Sequence, residues 1–232
     1  MSTPDPQHTV STPERTARTL PPWWVILLAA VGIALAAFAI GRFSMFGVSA
    51  TPTTDSAEAG FSRDMQVHHT QAIEMSMTIY RKTEDEGVRA LSYDIATAQA
   101  GQRGEFYDWL VQWGLPQSGG PLMEWMSQSE SGHDHGSGST GDEMTQEELM
   151  ASMGMASSEE LSALDAATGT AADCLFLELM IRHHEGAIPM AQALVELGSN
   201  DRAVQVAEGI IQTQSAEIDL MTSLRSNLTC TD

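Results

Sequence analysis

The sequence predicts an all-α fold: a four-helix bundle made of two duplicated helical hairpins joined by a long crossover and preceded by one transmembrane helix. Three observations predict it. A patterned segment occurs twice at a fixed offset of 115, so that Phe61, Met65, His68, His69, Ala72 and Met75 match Phe176, Met180, His183, His184, Ala187 and Met190. The register persists into the next segment, where Ile95, Gln99 and Phe106 fall opposite Ile210, Gln214 and Met221. Self-similarity over such a length marks a duplicated structural unit. Finally, an apolar run from Leu20 to Ile40 stands apart from a strongly acidic remainder.

The elements follow in order. Residues 1–19 read as a cytoplasmic tail rich in Pro, Thr and Ser and carrying Arg15 and Arg18. Residues 20–46 read as a transmembrane anchor. A run of this length crosses about 30 Å of hydrocarbon as a helix, Trp23 and Trp24 suit the interfacial belt, and the preceding arginines favour a cytoplasmic N-terminus. The competing reading is a cleaved signal peptide ending near Val48-Ser49-Ala50, although such segments usually have a shorter apolar core. On the first reading the protein is single-pass, with its C-terminal domain extracytoplasmic. On the second it is secreted.

Residues 47–54 form a linker, and 55–116 form the first helical hairpin. Asp55-Ser-Ala-Glu58 resembles a capping box, and the first helix is expected to run to about Lys82. After a turn at Thr83–Gly87, a second helix covers about Val88 to Trp113 and stops at Gly114 and Pro116. Residues 117–170 form the crossover. Its Ser/Gly-rich part, 117–142, is expected to be flexible. Thr145-Gln-Glu-Glu148 and Ser157-Ser-Glu-Glu160 announce two short helices. Residues 171–230 form the second hairpin, turning at Gly198-Ser-Asn200. A long crossover between two hairpins is an accepted route to a four-helix bundle.

Helical spacing decides which side chains face inward. Phe61, Met65, His68, Ala72, Met75 and Ile79 recur by threes and fours, as do their mates 115 positions later, and so occupy one face. His68 and His183 are therefore expected inside, with His69 and His184 about 100° around, at the edge of the stripe. On the partner helices Gln99, Gln214 and Glu217 face the same interior.

A buried imidazole needs a partner for each ring nitrogen, because desolvating it unpaired costs stability. Two such rings from two pseudo-symmetric halves can share a metal ion, and thioethers beside imidazole suit Cu(I). The expected metal set is His68, His69, His183, His184, Met65, Met75, Met180 and Met190, with copper as the metal. Gln99, Gln214 and Glu217 would orient the rings from outside, and Glu217 is also a candidate direct ligand. The Met stripe is equally readable as core packing. His133 and His135 in the crossover are an auxiliary metal candidate, flanked by Met123, Met126, Met144, Met150, Met153 and Met155.

Cys174 and Cys230 open and close the second hairpin, so antiparallel packing would bring them together as a disulfide in an oxidising compartment. A thiolate metal site is the alternative reading. Acidic residues outnumber Lys and Arg 31 to 11, for a net charge of −20, which argues against nucleic acid. A ferritin-type di-iron site needs Glu-x-x-His, but Met65 and Met180 stand three places before the first histidine of each pair. No phosphate loop or nucleophile elbow is present, and Glu185 is an isolated acid. Binding rather than catalysis is the expectation. Beside metal binding stand two other readings: a metal-free structural or interaction bundle, and a small copper-dependent redox enzyme.

The pattern Phe-x-x-x-Met-x-x-His-His-x-x-Ala-x-x-Met, present at 61–75 and 176–190, resembles the bacterial DUF305 family over about residues 55–228. The resemblance implies a ferritin-like four-helix bundle in an exported protein. Some members are associated with periplasmic copper binding and tolerance, which implies a metal ion and a copper-exchange protein as partners. It carries Met65, His68, His69, Met75, Met180, His183, His184 and Met190 as matching positions. The halves differ where Asp64 and Gln66 stand opposite Leu179 and Ile181, and Gln102 opposite Glu217.

Overall fold

A computed structural model describes residues 22–45, 51–129 and 144–230. The chain divides into two compact units, one ending at Val48 and the other beginning at Ser49. The first contains α1 (Trp23–Met45), whose side chains are described as far as Phe38 and are exposed. Among the described residues no helix is long and apolar enough to cross a membrane.

The second unit is all-helical among its described residues. Its four long helices are α2 (Ala57–Tyr80), α3 (Glu86–Gln112), α6 (Gly169–Leu197) and α7 (Asp201–Asn227). Two short ones, α4 (Gln146–Ser152) and α5 (Ser158–Ala166), lie in the crossover. α2 packs on α3, α6 on α7, and α2 on α6, so the two duplicated helices form the central pair of a helical bundle.

Local chemistry sets the ends. Thr145 and Ser157 form complete capping boxes with Glu148 and Glu160. Asp85 accepts from the Val88 N–H to start α3, two residues earlier than sequence spacing suggests. Gly114, with φ of 68°, supplies the left-handed residue that ends α3. At the start of α2 the cap is Ser56, which accepts from the Ala59 N–H. Glu58 does not close a capping box there. Its carboxylate instead crosses to the second hairpin and accepts from the backbone N–H groups of Ser199 and Asn200. Burial pushes that carboxyl up, but these hydrogen bonds outweigh it and hold the group below its ordinary value.

The crossover departs from the expected flexible chain as far as it is described. Glu124–Gln128 forms a 3-10 turn, and Met123 and Met126 are buried in the core. Asp64 of α2 holds this turn, accepting from the Met123 N–H and the Trp125 Nε1–H, both at 2.9 Å. A buried carboxylate needs such partners, and this accounts for a polar residue where the second copy has Leu179. His133 and His135 lie outside the described residues.

Cys174 and Cys230 form a disulfide with Cα atoms 5.6 Å apart. Closing 56 residues of chain stabilises the fold by about 4 kcal/mol on the chain-entropy argument.

The core is split in two. Phe61, Met65, Phe106, Met190 and Ile210 belong to one apolar cluster; Met75, Ile95, Phe176, Met180 and Met221 belong to the other. Each of these five residues of the first has its duplicate among the five of the second. α2 and α6 therefore run antiparallel about a pseudo-dyad, and the histidines fall in the polar layer between the clusters.

Candidate metal centre

All four histidines are wholly buried, with 0% exposure each. This includes His69 and His184, which helical spacing places at the stripe's edge. They are covered because α3 and α7 wrap around that edge. His69 lies 5.5 Å from the Phe106 ring, centroid to centroid. Across the pseudo-dyad, His68 and His183 stack with centroids 3.7 Å apart and planes tilted by 35°. The two imidazole faces thus meet in the middle of the bundle, as the duplicated stripes predict.

Hydrogen bonds fix the state of each ring. His68 Nε2 lies 3.0 Å from the Met153 carbonyl, and His183 Nε2 lies 3.1 Å from the His68 carbonyl. A carbonyl only accepts, so both Nε2 atoms carry the hydrogen. His69 Nε2 donates to Gln102 Oε1 at 2.8 Å, and His184 Nε2 to the Glu217 carboxylate at 2.7 Å. With Nε2 engaged throughout, Nδ1 is the nitrogen that each ring leaves open to a ligand. All four Nδ1 atoms are buried without a hydrogen-bond partner. Such atoms are uncommon in folded proteins and call for an explanation, such as an ion or a specialised role.

Electrostatics keep three of these nitrogens, those of His68, His69 and His183, free of protons. Burial pushes His68 down to about 4. Burial, with His68 beside it, pushes His69 to about 3. Burial and the neighbouring imidazoles hold His183 well below its ordinary value. Neutral imidazole is the metal-binding form.

The remaining expected residues divide. Met65 and Met190 are fully buried in one apolar cluster and Met75 and Met180 in the other, so thioethers flank the histidine layer on both sides. Gln99 and Gln214 are buried, but neither side-chain amide hydrogen-bonds an imidazole; their nitrogen and oxygen atoms have no partner. The orienting role expected of them belongs to Gln102 and Glu217, one helical turn further on. Gln102 was legible from the repeat, since His69 to Gln102 and His184 to Glu217 span the same 33 positions. The Met153 carbonyl was not, because nothing in a sequence marks which crossover backbone atom reaches the core. It arrives by close packing. A Cβ on Gly186 would sit 1.9 Å from Met153 O, and one on Gly154 2.1 Å from Arg182 O. Gln71 then fastens the same segment, pairing with both the N–H and the carbonyl of Ala156.

Among the described residues, no group of three or more His, Cys, Asp or Glu side chains converges to hold a metal ion. A tetrahedral zinc site of the usual N, S and O donors is therefore not built there. The donors on hand are pairs of imidazoles with thioethers nearby, a soft set of low coordination number. Ring spacing limits the pairing. His68 and His183 lie nearly face to face at 3.7 Å with planes tilted by 35°, so their in-plane lone pairs lie in separate, roughly stacked planes. The centroids within each His-His pair, 6.3 Å apart in both halves, leave room for a wide angle.

A pseudo-symmetric helical bundle with a buried histidine layer between two methionine-bearing clusters defines the class of protein. The DUF305 profile, described as a domain of unknown function, matches residues 58–225, and the chain belongs to that family. Among solved structures it is similar to a DUF305 protein from Streptomyces coelicolor, at 37% identity and a TM-score of 0.66, covering 77% of this chain and 96% of that one. A DUF305 fragment from Deinococcus radiodurans is 27% identical with a TM-score of 0.58, covering 74% and 96%. CopM in its Cu(II)-bound form is 26% identical with a TM-score of 0.54, covering 74% and 97%. No curated protein matches the chain.

Proposed function

We propose that this protein binds copper, with Cu(I) favoured, through its buried His-His pairs, and that it serves copper buffering, delivery or tolerance outside the cytoplasm. In this reading α1 is a single-pass anchor with the N-terminus in the cytoplasm, supported by the apolar run and the exposed apolar side chains of Trp23–Phe38. The observation that carries the copper reading is the set of four buried and unpartnered Nδ1 atoms. Flanking thioethers supply the softness that distinguishes Cu(I) from zinc. CopM, the relative solved with Cu(II), adds chemical precedent. The ring spacing favours one cation per His-His pair over a single cation shared by His68 and His183. His68, His69, His183 and His184 are the central ligands, Met65, Met75, Met180 and Met190 the soft donors, and a copper-exchange protein the partner.

A competition titration against a chromogenic Cu(I) chelator tests this. Wild type should take up two Cu(I), and His68→Ala/His183→Ala should lose high-affinity uptake. Unchanged affinity in the double variant would remove the bundle site and leave only His133 and His135. A second reading, a metal-free structural bundle, has an observation in its favour: the backbone hydrogen bonds of His68 and His183 already knit α2, α6 and the crossover together. Absence of bound copper in protein isolated from copper-supplied cells would favour it.

A further inference from the structure

The duplicated halves are not electrostatic copies. His184 Nε2 is held by the Glu217 carboxylate at 2.7 Å, whereas its duplicate His69 is held by the neutral Gln102 amide at 2.8 Å. The next position reinforces the difference. Arg103 stands opposite Ile218, and its guanidinium reaches Thr70, the neighbour of His69, at 3.3 Å. The Arg103 charge also acts on His69 itself, disfavouring a positive ring. One half therefore carries an anion against its histidine pair, and the other a neutral amide with a cation close by.

Resting on the copper reading above, we infer that the two half-sites are unequal: the second half holds a monovalent cation more tightly, and Glu217 is the positioning residue and counter-charge that makes it so. The physical basis is the cost of a buried charge. Cu(I) on neutral imidazoles and thioethers carries an uncompensated positive charge into a layer from which water is excluded, and a nearby anion relieves it. Across the ring of His184 the carboxylate lies about 7 Å from a metal on Nδ1, close enough for a substantial attraction in a partly buried setting. A carboxylate on the far nitrogen also raises the imidazole's donor strength and fixes its orientation. Gln102 supplies the orientation but no charge, and Arg103 opposes the cation. Filling is then sequential, the His183/His184 half first.

The test uses the full chain in detergent micelles, with histidine side chains labelled with 15N and titrated with Ag(I), followed by Cu(I) competition. In wild type, substoichiometric Ag(I) should shift the His183 and His184 nitrogens before those of His68 and His69. Glu217→Gln, which copies the first half's amide, should weaken the tighter site by about ten- to hundredfold and level the order of filling. Gln102→Glu should strengthen the weaker site by a similar factor, a gain that misfolding cannot produce. Simultaneous filling in wild type, or Cu(I) affinity unmoved in both variants, would overturn the inference while leaving the copper reading intact. No shift up to excess metal would overturn both.

Discussion

Acid should destabilise the metal-free bundle over a window set by its histidines. In the unfolded chain an imidazole takes up a proton below about 6.5, but His68 in the fold does so only at about 4 and His69 at about 3, with His183 also well below its ordinary value. A depressed folded value means that the unfolded state binds more protons between the two. Stability is therefore fully present above 6.5 and falls as pH drops through the window. At pH 5 His68 and His69 each cost about 2 kcal/mol, together about 4 kcal/mol, a large share of a typical domain's stability, and His183 acts in the same direction. The buried carboxyls also contribute. Asp64 and Asp173 are raised by burial, which opposes the slope where they titrate, and Glu58, despite burial, is lowered by its hydrogen bonds, which adds to it. Urea unfolding of the full chain, followed by tryptophan fluorescence at fixed pH from 7.5 to 5, measures the slope. Saturating Ag(I) should raise stability by a similar amount across this range and leave the slope in place, because these three folded rings are already free of protons there. A metal-free stability unchanged from pH 6.5 to 5 would refute the neutral, buried state assigned to the three rings.

Other perturbations probe the supports of the layer. Gly186→Ala would drive a methyl into the Met153 carbonyl and should cost about 1–3 kcal/mol in thermal melting. Gly101→Ala, on an open helical surface, should instead stabilise by about 0.5–1 kcal/mol. Reducing the disulfide, or Cys174→Ser/Cys230→Ser, should cost about 4 kcal/mol in urea unfolding; a loss below about 1 kcal/mol would contradict the chain-entropy account.

The central pair was legible because duplication and periodicity are redundant signals. Each inward residue of α2 is confirmed by its mate in α6, so His68 and His183 could be placed opposite each other without coordinates. The disulfide was legible for a similar reason, since a hairpin brings its two ends together. What was not legible depends on contacts between distant segments. Helical angle alone puts His69 and His184 at a margin, yet Phe106, Gln102 and Glu217 close over them. Gln99 and Gln214 lie on the inward seam yet do not bond the rings, whereas Glu217, expected on that seam, holds His184, and its duplicate Gln102 holds His69. Met123 and Met126 looked like parts of a loose linker because composition reports average solvation and does not register a single buried anchor such as Asp64. Glu58 likewise looked like a local cap, and local spacing carries no signal that its carboxylate serves Ser199 and Asn200.

The Cys174–Cys230 bond makes α6 and α7 a covalently closed ring, whereas the duplicate positions Ala59 and Leu115 leave α2 and α3 free to separate. Breathing motions must therefore be lopsided. Amides near the ends of α2 and α3 can exchange with solvent through partial fraying, while those at the bonded ends of α6 and α7 exchange only when the closed hairpin loosens as a whole.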